Sequence, residues 1–465
     1  MDALLLSRLQ FAFTIAYHII FPSFTIGLAS FLAVLEAVWL ATGRQAFLNL
    51  FRFWLKVFAI SFGMGVVSGV VMSYEFGTNW SAFSARTAPV LGPLLAFEVL
   101  TAFFLEASFL GVMLFGWKKV GRRLHFAATA IVAFGTLVSA FWIIAANSWM
   151  QHPVAFAIDG RGRMVALDWM KVIFSPTFPS RYVHMVLAAY LTTALVVGAA
   201  SAFHLLREKS KPGGRAESKI ALRMAIGMYA VVAPLQLLVG DVSGKVAEQV
   251  QPAKVAALEG IWDSRAEEPF HILAWPDRTL QGNRWDLSIP KLGSWLLKGD
   301  TEARVEGLKA FPRADQPPAA LIFYTFRIMV GLGLAMIGLG LWGLILWARG
   351  GPERSRLYLL AATLMGPAGF VAVICGWVTA EVGRQPYIVY GVMRTAEAVS
   401  PIRAGQAATS LTGFLSIYAV VFSVGVLYIL RLIAEGPAEG LVQPEPTKHS
   451  APGSALGQGL DGAAP

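Results

Sequence analysis

The stretch Gly376-Trp377-Val378-Thr379-Ala380-Glu381-Val382-Gly383-Arg384-Gln385-Pro386-Tyr387 follows an apolar run from Leu357 to Cys375. It puts a carboxylate, a guanidinium, an amide and a proline within a few residues at the edge of a membrane-length segment. Ionisable groups at such a position are costly unless partnered, which marks them as functional candidates. Read alone, Glu381 and Arg384 at i,i+3 are a helix-end ion pair and Pro386 stops the helix. The functional reading needs other acids, histidines and methionines at the same depth.

Composition sets the class. The chain has 465 residues, 56% hydrophobic and 14% charged, a balance outside that of soluble domains. Apolar runs of spanning length recur, so the expected fold is an all-α polytopic membrane protein. No cleavable signal is evident: Arg8 precedes an apolar run that continues to Ala41, too long for a signal-peptide core. The single cysteine, Cys375, excludes a disulfide framework and a cysteine-ligated iron–sulfur or zinc site. The net charge of +10 does not point to nucleic acid, because the basic residues cluster in short loops between apolar runs.

About nine spans are predicted, at 10–40, 53–76, 93–116, 124–148, 182–205, 220–243, 321–347, 357–379 and 407–431. Alternate loops are basic. They carry Arg44, Arg52 and Lys56; Lys118, Lys119, Arg122 and Arg123; Arg207, Lys209, Lys211, Arg215, Lys219 and Arg223; and Arg349, Arg354 and Arg356. Glu208, Glu217 and Glu353 are the few acids among them. By the positive-inside rule the N-terminus is outside and the C-terminus inside.

The chain divides into spans one to six (1–244), one long polar insertion on the outside (245–318), spans seven to nine (319–434) and a tail (435–465). The segment Lys245 to Trp262 reads either as an outward extension of span six or as a short helix after Pro252. A loop of this length without its own fold is usually functional or mobile. The tail, rich in Pro, Gly, Ala and Ser, reads as disordered and cytoplasmic. No internal repeat is evident by eye, which counts against an inverted-repeat transporter.

Topology sorts the seven histidines. His125, His204, His449, His152 and His271 fall at helix ends, in outer segments or in the tail and read as solvated. His18, inside span one, and His184, opening span five, do not. A lone intramembrane histidine can simply bond a neighbouring helix. At 1.5 Å per residue, His18 lies roughly 15 Å from the outer end of its span, Glu98 roughly 8 Å and Glu106 roughly 20 Å. Arg327 and Met329 lie roughly 9–12 Å in, His184 a few Å, and Glu381 at the outer end of span eight. His18, Glu98, His184, Met329 and Glu381 therefore share the outer half of the bilayer.

Two histidines, a methionine and carboxylates at one level suit haem iron. Arg327 and Arg384 are at levels that suit haem propionates. Glu98 and Glu106 are eight apart, within about 80° on an ideal helix, and staggered acids read as a proton relay. The plain alternatives are a gap-filling methionine and a neutral, satisfied acid.

With these residues assembled, the sequence resembles subunit I of the cytochrome bd-type quinol oxidases over nearly the whole chain apart from the tail. The resemblance rests on Leu6-Ser7-Arg8-Leu9-Gln10-Phe11 with His18; Phe76-Gly77-Thr78-Asn79-Trp80; Phe97-Glu98 through Phe104-Leu105-Glu106; Ala146-Asn147-Ser148-Trp149-Met150-Gln151; Phe326-Arg327-Ile328-Met329-Val330-Gly331; and the opening stretch. It implies that His184 and Met329 ligate a low-spin haem b. It implies that His18, with Glu98 opposite, and Glu381 serve two further haems: a high-spin haem b, and haem d or a third haem b in its place. Trp377 would lie between haems. Glu98 and Glu106 would line a proton route, and Lys254 and Glu259 would be the quinol-oxidising pair. Without the resemblance, that last pair reads as a solvated loop salt bridge.

Two positions depart from the family pattern. Tyr387 stands where tryptophan is expected and Glu75 where glutamine is expected. The short outer loop is like that of the cyanide-insensitive branch. The resulting expectation is a multi-pass subunit of the bacterial inner membrane. It would oxidise quinol outside and reduce dioxygen to water with inner protons, electrogenically. A haem-free subunit II and small single-span accessory subunits are its expected partners. The rivals are an ion-coupled transporter and a haem-b electron-transfer subunit without oxygen chemistry.

Overall fold

Each membrane-length apolar run forms a helix, because only a helix satisfies its own backbone groups in lipid. A computed structural model describes residues 2–207 and 214–437. Its elements, in order, are α1 (Ala3–Thr42), α2 (Gln45–Thr78), α3 (Ser81–Glu98), α4 (Phe104–Phe115), α5 (Arg122–Gln151), the ribbon β1 (Phe156–Ile158) and β2 (Met164–Ala166), α6 (Trp169–Ile173), α7 (Phe178–Leu206), α8 (Gly214–Val250) and α9 (Pro252–Glu259). There follow the hairpin β3 (Phe270–Asp277) and β4 (Gly282–Ile289), α10 (Leu292–Lys298), α11 (Ala319–Ala348), α12 (Arg356–Leu364), α13 (Ala368–Val382), the ribbon β5 (Tyr387–Val389) and β6 (Met393–Arg394), and α14 (Ala404–Glu435). Among the described residues nine helical spans are long and apolar enough to cross a membrane, α3–α4 and α12–α13 each counting as one. His449 and the tail beyond 437 lie outside the described residues.

The third span starts at Ser81 rather than near 93. Pro89 and Pro93 fall inside α3, and such prolines are tolerated in membrane helices. A π-turn, Val99–Phe103, joins α3 to α4. Both readings of 245–262 hold: α8 continues to Val250, and Pro252 opens α9, which Gly260 closes at φ 73°. The insertion has its own fold, an antiparallel hairpin that pairs Phe270 with Ile289 and Asp277 with Gly282.

Lipid tails are as apolar as leucine, so packing at small residues, not water exclusion, holds the helices together. α1 and α7 form the centre, 61% buried over their most apolar windows, against 11% for the peripheral α14. They cross at Gly27, where an added Cβ would collide with the Thr193 hydroxyl. Alternation of the spans gathers residues 78–81, 151, 178, 250–319, 382 and 404 at one end, the insertion end. The described basic residues Arg44, Lys118, Arg207, Lys219 and Arg349 lie at the other, and Lys209 and Lys211 lie outside the described residues.

Candidate functional site

The site begins where α13 ends. Glu381 takes an ion pair from Arg384 and a hydrogen bond from Gln151 Nε2 at 3.0 Å. Gln151 closes α5, and its Oε1 accepts Lys254 Nζ at 2.6 Å. Arg181 donates to Ser148 Oγ at 2.9 Å and to Asn147 Oδ1. Arg181, Lys254 and Arg384 thus surround one carboxylate, with Lys254 and Arg384 buried. Burial, with Arg181 and Arg384 as like-charged neighbours, holds the Lys254 amine well below the usual lysine range, and Glu381 offsets this only in part. Arg384 Nε and Nη1 have no partner. A buried excess of positive charge with unmet N–H donors fits an anionic group such as a carboxylate.

Three side chains that could hold iron lie against bare backbone. A Cβ on Gly240 of α8 would stand 3.2 Å from His184 Cε1, one on Gly69 of α2 3.2 Å from His18 Cε1, and one on Gly376 of α13 2.9 Å from Met329 Sδ. His184 meets the Gln236 amide through Nε2 at 3.1 Å, and its buried Nδ1 has no partner. His18 Nδ1 meets Ser68 Oγ at 2.9 Å. Ser68 donates to the Met64 and Gly65 carbonyls. Its lone pair can therefore accept an Nδ1 proton, the tautomer that leaves His18 Nε2 free to bind a metal. Among the described residues no group of three His, Cys, Asp or Glu side chains is placed to hold a metal ion. A single protein ligand from each side chain would suit iron that a macrocycle already holds.

Glu98 accepts Ser139 Oγ at 2.8 Å. Glu106, 6% exposed, packs against Gly135, where a Cβ would be 2.8 Å from its Cγ. Gly135 and Ser139 are one turn apart on α5, so both acids face one stripe of that helix. The predicted 80° offset is corrected by the π-turn. Its extra residue gives the two acids the register of residues seven apart, about 20°.

Lys254 and Glu259 are 8% and 9% exposed, not solvated, and do not pair with each other. Five residues on a helix is about 140°, so they leave opposite sides of α9. Glu259 accepts Arg327 Nη2 at 2.7 Å, and that nitrogen also reaches the His271 carbonyl at 2.7 Å. Arg327 stacks 4.0 Å over the Phe323 ring. Trp377, half-buried on α13, lies one turn before Glu381 on the same face.

Two histidines read as solvated are buried. His125 Nδ1 bonds Glu36 at 2.6 Å while Thr129 holds the other Glu36 oxygen. His271 bridges Asp286 at 2.9 Å and Glu268 at 3.3 Å. Each was misread because its acid partner is remote in the chain or bends back from a hairpin.

The comparisons bear on this arrangement. The family model described as cytochrome bd terminal oxidase subunit I matches residues 6–437. The chain belongs to that family. It is 32% identical to cytochrome bd-II ubiquinol oxidase subunit 1 of Escherichia coli (strain K12), over 96% of this chain and 99% of that one. It is 35% identical to cytochrome bd ubiquinol oxidase subunit 1 of Bacillus subtilis (strain 168), over 94% of each chain. The solved bd oxidase from Geobacillus thermodenitrificans superposes with a TM-score of 0.86 at 28% identity, covering 94% of this chain and 99% of that one. This bd-family subunit is a multi-pass bacterial membrane protein. Its Glu36, Gln236 and Ser68 went unnoticed in the sequence. Glu36 carried a signal, an acid inside the apolar run Leu32–Trp39; the two neutral residues carried none.

Proposed function

We propose that this chain is the haem-bearing subunit of a terminal respiratory oxidase that oxidises quinol and reduces dioxygen to water. The observation that carries the proposal is the seating of His184, Met329 and His18 against glycine backbone, with an unpartnered ring nitrogen on His184. His184 and Met329 would hold a low-spin haem b. His18 together with Glu98, and Glu381, would serve a high-spin haem b and a haem d or third haem b. Bound haem supplies one-electron storage and a place for dioxygen to bind.

The chain's own groups do the rest. Arg384 and Arg181 have donors for haem carboxylates, and Arg327 holds Glu259 in place. Lys254, its amine shifted toward the neutral form, and Glu259 can take protons from quinol hydroxyls. Glu106 and Glu98, on one stripe of α5, can pass protons toward the oxygen-binding site. Trp377 would lie between the cofactors. The N-terminus and the 245–318 insertion would face outside, so that quinol protons leave on one side and protons for water enter from the other. A haem-free second subunit is the partner, with small accessory spans beside it.

Pyridine-haemochrome analysis of the purified complex tests the cofactor reading, and oxygen uptake with quinol tests the activity. Met329→Leu keeps volume at a cost below ~1.5 kcal/mol but lacks the sulfur lone pair. It should remove the low-spin signal or turn it high-spin; a normal low-spin spectrum puts the sixth ligand elsewhere.

A further inference from the structure

Glu75 is the acid that the family pattern did not lead us to expect. It is fully buried on α2, and although Thr14 and Gln10 lie close enough to interact, neither of its carboxylate oxygens meets a donor in good hydrogen-bond geometry. Beside it are Thr14 and Gln10 of α1 and Tyr418 of α14. Thr14 spends its proton on the Gln10 and Phe11 carbonyls. Gln10 Nε2 and the Tyr418 hydroxyl are buried and unpartnered. An acid, an amide and a phenol left unpaired in one place call for a bound water or a mobile proton.

The cluster lies on a seam. Ser7, Gln10 and Thr14 on α1 face Ser68 and Glu75 on α2 and Asn79, which caps it, and all six are buried. Asn79 Nδ2 reaches Ser7 Oγ and Gln10 Oε1, each at 3.4 Å, at the insertion end. The seam ends at the Ser68–His18 bond. Glu75 and Ser68 are two turns apart, about 10 Å. Salt does not screen charges buried between helices, so they interact over that distance. The titratable groups facing Glu75 are Tyr418, Tyr17 against the Tyr418 ring, and His18 beyond Thr14.

We propose that Glu75 is a proton-holding side chain that balances the charge of the cofactor carried by His18, exchanging its proton along the Ser7–Gln10–Asn79 seam. The proposal rests on the reading of His18 as a ligand. One electron arriving from quinol at the His18 site is matched by one proton from water at the insertion end, which bonds to a Glu75 carboxylate oxygen. Departure of the electron breaks that O–H bond and returns the proton to water.

The test is spectroelectrochemical titration of the holoenzyme complex from pH 6 to 8.5, with redox-difference infrared spectra. In the wild type, one haem midpoint should fall with pH, by at most a tenfold change in the redox equilibrium per unit, about 59 mV for one electron. A carboxyl band should change with redox state. Glu75→Gln, which keeps the shape, should flatten the slope and remove the band; Glu75→Asp should keep both. A pH-independent wild-type midpoint, or an unchanged slope in Glu75→Gln, overturns the proposal. Haem content in His18→Ala separates the two readings. A full haem complement there sinks the ligand assignment and this proposal with it. Haem loss there with no effect of Glu75→Gln sinks only the Glu75 role.

Discussion

Gly376 and Met329 are matched across the α11–α13 contact: a Cβ on Gly376 would lie 2.9 Å from the Met329 sulfur. Carbon–sulfur contact that short is repulsive, and normal separations begin at ~3.5 Å. A methionine sulfur sits on a flexible chain and can withdraw. Gly376→Ala should therefore leave thermal stability within about 1 kcal/mol of wild type while moving the sulfur out of ligating position. The expected result is a partial or full low-spin to high-spin change in the reduced spectrum, resembling Met329→Leu. An unaltered spectrum in Gly376→Ala would show that Met329 is not held at the iron by this contact.

Lys254 offers a pH test. Its amine is held well below the usual lysine range in the folded protein. The unfolded chain then binds more protons than the native one from that lowered value up to about 10.4, so stability rises with pH across the window. Lys254→Met removes this term. Melting temperatures of wild type should climb relative to Lys254→Met as pH increases from neutrality toward 10, and parallel curves would mean the amine is not perturbed. In the same variant, and in Glu259→Ala, quinol oxidation should drop by an order of magnitude or more, as for loss of a general base. Oxygen reduction with an artificial low-potential donor should change little. Equal loss of both activities would make the pair structural.

Tyr387 ties the end of the opening motif to the insertion. Its hydroxyl donates to Asp315 at 3.0 Å, Arg394 pairs with the same carboxylate oxygen, and the Arg394 guanidinium stacks 5.0 Å over the Tyr387 ring. Tyr387→Phe keeps the ring and loses one bond to a charged acceptor, a cost of about 1.5–3 kcal/mol at most. Because Asp315 belongs to the insertion, limited proteolysis within 245–318 should speed up while haem spectra stay the same. Unchanged cleavage would show that Arg394 alone holds the segment.

What could be read from the chain follows from the range of each interaction. The nine spans were legible because apolar length is a local property. His18, His184 and Glu381 were legible because an ionisable group in an apolar run stands out by itself. The glycines opposite the proposed ligands were not: three positions among 45 glycines carry no local mark, and their contacts exist only across helices. The π-turn hid in Val99-Leu100-Thr101-Ala102-Phe103, which has no glycine or proline to announce it. The same holds for the Gln151 bridge. One amide donates to Glu381 and accepts from Lys254, residues 230 and 103 positions further along the chain.

Glu106 is the last acid before the basic end on its span, and its position decides what a proton entering from that end would meet. Its Oε1 is buried and unpartnered. Its side chain is pressed to Gly135 of α5, one turn from the Ser139 that holds Glu98. The π-turn between the two acids brings both to that stripe, so a proton leaving Glu106 moves along one helix face instead of around it. Glu106→Gln retains shape and hydrogen bonding but cannot titrate. Quinol binding and reduction of the low-spin site should persist, whereas the proton-consuming oxygen step should slow by roughly 10²-fold or more, the usual contribution of a positioned acid–base group. Gly135→Ala provides an independent variant. Its Cβ would meet Glu106 Cγ at 2.8 Å and must displace the acid without removing it, so a smaller slowing is expected. Flow-flash kinetics with a pH dye read both. If Glu106→Gln takes up protons at the wild-type rate and is merely less heat-stable, the acid is structural and the route to Glu98 runs elsewhere.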